Sequence, residues 1–250
     1  MTKRRPTSRP SPPQPPSSAK TLRRQVKTLQ KLLRSHLRGL TELTETLVEV
    51  GDRTYHVTHP AAADTLIDEE EFARDERLPY WADLWPSSIA LARHVAEGKH
   101  LGGRRAVELG CGVGLPSIIA LARGADVLAT DHYEAALDFT RYNALGNLGR
   151  ELRTQILDWH APRTQGLGYF DLVLVADVLY ERRNVTALTV LIPTLLIPGG
   201  EILLADPGRK NAPVFLEGMR DMGFGLSTKE CLVPSDDRTV TTFVHRLRSC

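Results

Sequence analysis

A chain of 250 residues can bury one complete hydrophobic core, and 42% apolar residues, 25% charged residues and a mean hydropathy of −0.22 are typical of a soluble globular protein. The sequence contains no apolar run of about 18 residues and no signal-peptide pattern, so it predicts no membrane span. Cys111, Cys231 and Cys250 are odd in number and lack the spacing of metal ligands. We therefore expect no bound metal and a reduced, cytoplasmic compartment.

The charges are distributed unevenly along the chain. Residues 1–40 carry eleven Lys or Arg and no acid, whereas the other 210 residues carry 21 basic and 30 acidic side chains, a net charge of −9. Residues 1–20 also contain six prolines and four serines, which predicts a disordered basic tail. This tail either solubilises the protein or contacts nucleic acid or an acidic partner transiently, and its prolines oppose the amphipathic helix of an organellar transit peptide.

A helix, two strands and a loop are predicted next. Residues 21–40 have leucines and a valine at the three- and four-residue spacing of an amphipathic helix, which would pack on the flank of the domain or on a partner. The domain itself covers residues 41–250. It opens with short strands over 45–50 and 53–57 and an acidic loop over 58–77.

Aromatic side chains are concentrated in the stretch that follows, where Tyr80, Trp81 and Trp85 lie within six residues, before a predicted helix over 86–95. Aromatics at this density are either anchors of the core or the wall of a pocket for a cation, since an aromatic face attracts positive charge. The residues alone leave both interpretations open.

A glycine-rich turn comes next. The apolar strand 106–109 runs into Gly110, Gly112 and Gly114, and a helix-like segment, 117–123, follows. Glycine lets the backbone approach a ligand closely, and a helix N-terminus offers unpaired amides. Strand, turn and helix in this order favour a nucleotide-like ligand over a merely structural turn.

The spacing of the turn distinguishes between nucleotides. The dinucleotide fingerprint has its third glycine one residue later, and Glu108 would repel a pyrophosphate but attract a cation. S-adenosylmethionine carries a sulfonium and an ammonium and no phosphate, so the motif favours that cofactor. The second strand, 126–131, ends at Asp131, where an acid accepts hydrogen bonds from a ribose. Cys111 is interpreted as a small filler of the turn, because no base is recognisable beside it.

Two further strands end in acids. Strand 152–157 runs into Asp158 and Trp159, an acceptor and a stacking surface for an adenine. Strand 170–177 is nearly all apolar, which is typical of a central parallel strand buried on both faces. Tyr180 follows it at the edge where ligands bind in open α/β sheets.

The remaining elements define the fold class. We predict further helices over 133–145, 184–196 and 213–222, a fifth strand over 201–205, and closing strands over 226–233 and 239–247. Strands that alternate with helices and then form a hairpin indicate an α/β protein. We expect a Rossmann-like three-layer sandwich with a mostly parallel seven-stranded sheet and a C-terminal antiparallel hairpin.

These motifs resemble those of the class I S-adenosylmethionine-dependent methyltransferases, and within them family 16, the seven-β-strand lysine methyltransferases. The segments that carry the resemblance are 79–86, 107–114 and 177–180. The turn 206–209 and the strand 239–243 are similar to the branch that methylates the β-subunit of electron transfer flavoprotein. The resemblance covers roughly residues 45–248.

The resemblance implies a cofactor, S-adenosylmethionine, a protein substrate with the flavoprotein β-subunit as candidate, and a set of residue roles. The methionine end would be held by Glu108, Gly110, Gly112 and Gly114 with Cys111 between them, the ribose by Asp131, the adenine by Asp158 and Trp159, and the outer wall by Trp85. Asp177, beside the cofactor, and Tyr180 would face the target amine, with Tyr80 and Trp81 around it. Arg209 would pair with an acidic feature of the substrate, unless it belongs only to a helix-capping turn.

The expected chemistry is an in-line methyl transfer, which needs alignment and a neutral amine but no metal. Asp177 is expected to orient the ammonium, while burial and the positive sulfonium lower its pKa. The same pocket could serve a small-molecule N-methyltransferase or a non-catalytic cofactor-binding partner protein. Nucleic-acid methylation is disfavoured, because the fourth strand ends in Asp177-Val-Leu-Tyr180 and not in an Asn/Asp-Pro-Pro-Tyr type motif.

Overall fold

A helix and a two-stranded hairpin precede the main sheet. The computed structural model describes residues 19–69, 72, 78–164, 167–235 and 238–249. Helix α1 spans Ala19–His36, and the hairpin is formed by β1 (Leu43–Val50) and β2 (Arg53–Pro60). The predicted strands are confirmed, and β2 continues three residues further than predicted because its ladder with β1 extends to the pair Leu43 and Pro60.

Helix α1 is shifted from the predicted range of 21–40. It begins at Ala19, inside the predicted tail, and ends at His36. It stops early because Arg38 and Gly39 have φ angles of 50° and 73°, in the left-handed region that a right-handed helix cannot continue through. Residues 1–18 of the predicted tail and residues 70–71 and 73–77 of the predicted acidic loop lie outside the described part of the chain.

The main sheet has the seven strands that the sequence predicts. In chain order they are β3 (Arg105–Leu109), β4 (Asp126–Asp131), β5 (Arg153–Ile156), β6 (Phe170–Ala176), β7 (Leu196–Asp206), β8 (Phe224–Ser235) and β9 (Arg238–Ser249). Their spatial order is β5-β4-β3-β6-β7-β9-β8, with β3 to β7 parallel and β8 and β9 antiparallel. This arrangement places the ends of β3, β4 and β6 side by side at one edge.

Strand β7 is longer than the predicted 201–205. It starts at Leu196 and includes the segment 198–200, which composition predicts as a turn. The register of its pairing with β6 shifts between Phe170 and Leu172. Gly199 and Gly200 therefore form an irregularity within the strand and do not end it.

Helices cover both faces of the sheet. On one face lie α2 (Pro86–Glu97), α3 (Leu115–Ala122) and α4 (Glu134–Leu148), and on the other lie α5 (Arg182–Leu195) and α6 (Ala212–Asp221). Strand β6 supplies both cores, because Leu172 and Leu174 pack on the first face and Val173 and Val175 on the second. The three-layer α/β sandwich is thereby confirmed. Over the described ranges, no helix has the length and apolar character needed to cross a membrane.

Asn143 on α4 joins the hairpin to the sheet. Its side-chain oxygen accepts from the Thr58 amide at 2.9 Å, and its side-chain nitrogen donates to the carbonyls of Thr58 and Val113 at 3.0 Å each. Asn143 is 1% exposed, so these bonds have no water to replace them. One turn further on, Asn147 makes a similar pair of bonds to His56, but near the surface.

We expect Asn143→Ala to lower the free energy of unfolding by about 3 kcal/mol, because it leaves buried backbone groups without partners. Asn147→Ala is the matched control and should cost only about 1 kcal/mol, since water can reach the groups it exposes. Urea denaturation followed by circular dichroism measures both. Equal losses for the two variants would show that Asn143 is not the main link.

Candidate active site

A cavity of about 940 Å³, including the part open to solvent, lies at the carboxyl ends of β3, β4 and β6. The predicted site residues that line it are Tyr80, Trp81, Trp85, Gly110, Cys111, Gly112, Asp131, Asp158, Trp159, Asp177 and Tyr180. Glu108, Gly114 and Arg209 do not line it. The structure therefore places most of the predicted residues around one cavity. The other three lie behind these lining residues or beside them.

The glycine turn follows β3 directly. The amides of Gly110 and Cys111 both donate to the Thr130 carbonyl at 2.9 Å, which ties the turn to β4. Gly110 has a φ of 75°, and a methyl group there would lie 2.9 Å from the Trp159 ring. Glycine is required at this position, because the indole approaches the backbone too closely for a side chain. Gly114 serves packing in the same way, since a methyl group there would lie 2.6 Å from the Thr140 hydroxyl.

Asp131 fixes the opposite side of the turn. Its carboxylate accepts from the amides of Gly112 at 2.9 Å and Tyr133 at 3.1 Å. The residue is 6% exposed, and burial raises the pKa of this carboxyl, although the amide hydrogen bonds oppose the shift. Its oxygens face the cavity from the end of β4, where they can accept hydrogen bonds from a vicinal diol.

Glu108 lies behind the glycine turn. One carboxyl oxygen accepts from the Ser117 amide at 2.9 Å and from the Ser117 hydroxyl, so Glu108 caps the N-terminus of α3. The other oxygen, Oε1, is buried without a hydrogen-bond partner in the described part of the chain. Burial raises the pKa of Glu108 to about 8. The sequence predicts the acid but not its second role, because the partner Ser117 lies nine residues away on another element.

One end of the cavity is formed by the residues that follow β5. The Asp158 carboxylate accepts from the His160 amide at 2.9 Å, and the Trp159 indole packs against Gly110. The indole nitrogen of Trp159 is buried, and no described residue accepts its hydrogen. Leu157 completes this wall with an apolar side chain that is 2% exposed. An aromatic ring, an apolar side chain and a carboxylate together suit a flat heterocycle with an amino group.

The other end of the cavity combines aromatic rings with a carboxylate. The Tyr80 ring makes edge contacts with Trp85 at 5.9 Å and Tyr180 at 5.1 Å between centroids. Asp177 follows β6 with a φ of 54°, a strained conformation for a residue other than glycine, and it is 8% exposed. Burial raises the pKa of Tyr180 to about 12, so this phenol is neutral at physiological pH. A corner of this kind is suited to an ammonium group.

Arg209 approaches Asp177 from outside the cavity. Its Nε donates to Asp177 Oδ1 at 2.5 Å, and its guanidinium carbon lies 5.9 Å from the centre of the Tyr180 ring. The Asp206 carboxylate accepts from the amides of Gly208 at 2.8 Å and Arg209 at 2.7 Å, which fixes the turn that carries the arginine. The sequence predicts this turn, but it does not predict that the guanidinium contacts Asp177.

Several lining residues are absent from the predicted set, among them His132, Tyr133, His160 and Asn184. His132 and Tyr133 directly follow β4, and the rule that ligands bind at the carboxyl edge is a signal that could have found them. Asn184 gives no such signal, because it sits on α5 and reaches back to donate to the Val178 carbonyl at 3.1 Å. Among the described residues, no group of three or more His, Cys, Asp or Glu could hold a metal ion.

Comparison with solved structures supports the fold. The N-methyltransferase NodS of Bradyrhizobium japonicum, solved in complex with S-adenosyl-L-homocysteine, matches 72% of this chain and 95% of its own with a TM-score of 0.54 and 18% sequence identity. At that identity the likeness shows the fold alone.

The family follows from the sequence comparisons. The model of the lysine methyltransferase family matches residues 73–221, more than half of the chain, and the protein belongs to that family. It is 33% identical to the electron transfer flavoprotein beta subunit lysine methyltransferase of Danio rerio over 52% of this chain, and 35% identical to protein N-lysine methyltransferase METTL21A of Danio rerio over 45% of it. These matches cover 51% and 54% of the two relatives, so the chain spans about half the length of each.

The cofactor of this family is S-adenosylmethionine, and the residues present fit it. Oε1 of Glu108 lies behind the glycine turn without a partner among the described residues, and an ammonium that donates to it would also favour the charged form of the acid. Asp131 offers acceptors for the ribose hydroxyls, and Asp158 and Trp159 line the same cavity as an acceptor and an aromatic ring for the adenine. Among the residues that line this cavity, none at the glycine turn has a basic side chain that could hold a phosphate.

We expect Glu108 to contribute a loss of stability as pH rises between about 5.5 and 7.5, of about 1.4 kcal/mol per pH unit. The folded-state pKa of Glu108 is about 8 against an ordinary value of 4.5, so in this window the folded state binds a proton that the unfolded state has released. Glu108→Gln replaces the protonated acid by a neutral isostere and should remove this slope. Denaturant titrations of both proteins at several pH values measure the effect; equal slopes would show that Glu108 titrates normally.

Proposed function

We propose that this protein is an S-adenosylmethionine-dependent methyltransferase that acts on a lysine side-chain amine of a protein. The observation that carries the proposal is the position of Asp177, Tyr80 and Tyr180 at one end of the cavity whose other walls are the glycine turn and Asp131. A site for a cationic amine thus adjoins a site for the cofactor, and membership of the lysine methyltransferase family supports both assignments.

We take the β-subunit of electron transfer flavoprotein as the candidate substrate. A relative named for that activity is 33% identical over 134 residues of this chain. The turn from Asp206 to Arg209, which places the arginine against the catalytic acid, is a feature that we associate with the same branch. A different protein substrate is compatible with the family, since another relative of similar identity carries a more general name.

Bound S-adenosylmethionine supplies a methyl group on a positively charged sulfur, which a neutral amine can attack in line. A lysine with a pKa of about 10.4 costs about 4.6 kcal/mol to deprotonate at pH 7. Asp177 can orient this amine by accepting its hydrogen, but a lone carboxylate would also favour the charged ammonium. The site therefore needs a group that keeps the carboxylate in place and offsets its charge.

Arg209 supplies that group. Its guanidinium is bound to Oδ1 of Asp177, which leaves Oδ2 for the amine. The side chain of Asp177 is 5% exposed and that of Arg209 is 32% exposed, so the pair is screened from water mainly on the acid side. The net charge of the pair is zero, so Asp177 does not favour the charged ammonium as a lone carboxylate would. Burial in the aromatic corner then lowers the pKa of the amine. Arg209 is in this scheme a positioning residue, because it acts through Asp177.

Incubation of the purified protein with tritiated S-adenosylmethionine, a cell lysate and purified electron transfer flavoprotein should label the β-subunit. Asp177→Asn should reduce turnover by about 100-fold, because the amine loses its orienting charge. Asparagine tolerates the same left-handed backbone, so the fold should persist. Calorimetric binding of S-adenosyl-L-homocysteine to the variant, which should be almost unchanged, is the control.

The outcomes separate the alternatives. Label in another protein would retain the lysine methyltransferase and change its target, and label only among small molecules would indicate a metabolite N-methyltransferase. Cofactor binding without any label would indicate a non-catalytic binding protein. Full turnover of Asp177→Asn would remove the proposed role of the acid.

Arg209→Gln should move the pH profile of kcat to higher pH by about one unit, since the unpaired Asp177 carboxylate would stabilise the ammonium form of the substrate. The titratable groups that face this pair are Asp206, on the same turn as Arg209, and the phenols of Tyr80 and Tyr180. Arg209→Lys keeps the positive charge and should shift the profile less. Turnover measured from about pH 6.5 to 10 tests this, and an unshifted profile with lower turnover at every pH would contradict it.

A further inference from the structure

Helix α1 carries a basic stripe, which we define as Lys20, Arg24, Lys27, Lys31 and Arg34. The spacing of four and three residues places these side chains on one face of the helix, and all five residues are exposed. The helix contains no acid, and within the described ranges none of the five forms an ion pair. Like charges at this spacing repel each other, so the stripe is unfavourable to the helix unless an acidic partner offsets it.

The helix that carries the basic stripe packs against the domain through its opposite face. Leu29 and Leu33 lie on the opposite face of α1 and are buried against the domain. At the C-terminal end of the helix, the His36 ring contacts the Asp138 carboxylate on α4 at 2.8 Å. The cations are therefore presented to solvent in a fixed arrangement, which lowers the entropic cost of binding an extended partner.

A groove begins where the stripe ends. Arg38, Leu40, Leu66, Ile67, Trp81 and Tyr133 are among the residues that line it. Leu40 is 55% exposed and Ile67 is 42% exposed, so the groove offers apolar surface to a ligand. Trp81 and Tyr133 also line the active-site cavity. The groove therefore lies between the C-terminal end of α1 and the active-site cavity.

We infer that the basic stripe is the docking surface for an acidic segment of the protein substrate, which continues through the groove toward the cavity. The inference rests on the proposed function. From Lys20 to Arg34 the helix rises by about 21 Å, the length of about six residues of extended chain. The substrate should therefore carry a cluster of acidic residues on one side of the target lysine, separated from it by an apolar residue that fits the groove.

Two other occupants are disfavoured by charge. Residues 1–18 of this chain carry only basic charges, so the stripe repels them. A nucleic acid would suit the stripe, but Asp68 and Glu134 line the groove, where they would repel a continuous line of phosphates. A protein segment can place acids on the stripe and apolar residues in the groove.

The test uses the full-length protein and the substrate that it labels. In the stripe variant, Arg24, Lys27 and Lys31 are all changed to Gln, and in the control variant Lys99, Arg220 and Arg238 are changed to Gln, which removes the same charge elsewhere on the surface. We expect the stripe variant to raise KM roughly tenfold with kcat unchanged, and to flatten the rise of KM between about 50 and 200 mM salt. The control variant should behave as the wild type.

A stripe variant with the KM and salt dependence of the control would overturn the inference while the proposed function stands. Tighter binding of a fluorescently labelled RNA or DNA duplex than of the protein substrate, lost in the stripe variant, would also overturn it in favour of a nucleic-acid surface. If the wild type labels no protein at all, the proposed function fails and the docking role fails with it.

Discussion

The hydrogen bond from the Gly112 amide to the Asp131 carboxylate joins the ends of two neighbouring strands. Through it, the turn after β3 is held by the last residue of β4, and the same carboxylate also fixes the start of the next loop at Tyr133. An acid in this position is costly to bury, and burial raises its pKa, so it is retained only because backbone amides surround it. This junction holds together the two loops that carry the glycine turn and Tyr133 at the cavity.

A second constraint is electrostatic. Three acids lie in or beside the turns that form the cavity. Asp131 and Asp177 line the cavity and Glu108 lies behind it, and the charge of each is compensated differently. Burial raises the pKa of Glu108 and so favours its neutral form, backbone amides offset the charge of Asp131, and the guanidinium of Arg209 offsets that of Asp177. The cavity can therefore hold a cationic cofactor beside a substrate amine without a large surplus of negative charge that would keep the amine protonated.

The sequence predicts the fold well because its signals are local. Terminal acids after apolar runs, and glycines at alternate positions, mark the carboxyl edge of the sheet, and the structure places Asp131, Asp158 and Asp177 around one cavity. The contacts between distant residues could not be predicted in this way. Arg209 lies 32 residues from Asp177, and Ser117 reaches Glu108 from another element. The cytoplasmic location and the assigned cofactor contacts stay predictions.

Asn143 has a consequence for how the molecule responds to ligand. Its amide bridges the Thr58 carbonyl of the N-terminal hairpin and the Val113 carbonyl of the glycine turn. We expect a ligand that orders the turn to restrain the hairpin as well, and by reciprocity a disturbance of the hairpin to lower affinity at the turn. The hairpin lies outside the parallel sheet, yet Asn143 connects it directly to the glycine turn. Variation among relatives in this hairpin would then tune cofactor affinity without altering a single residue that contacts the cofactor.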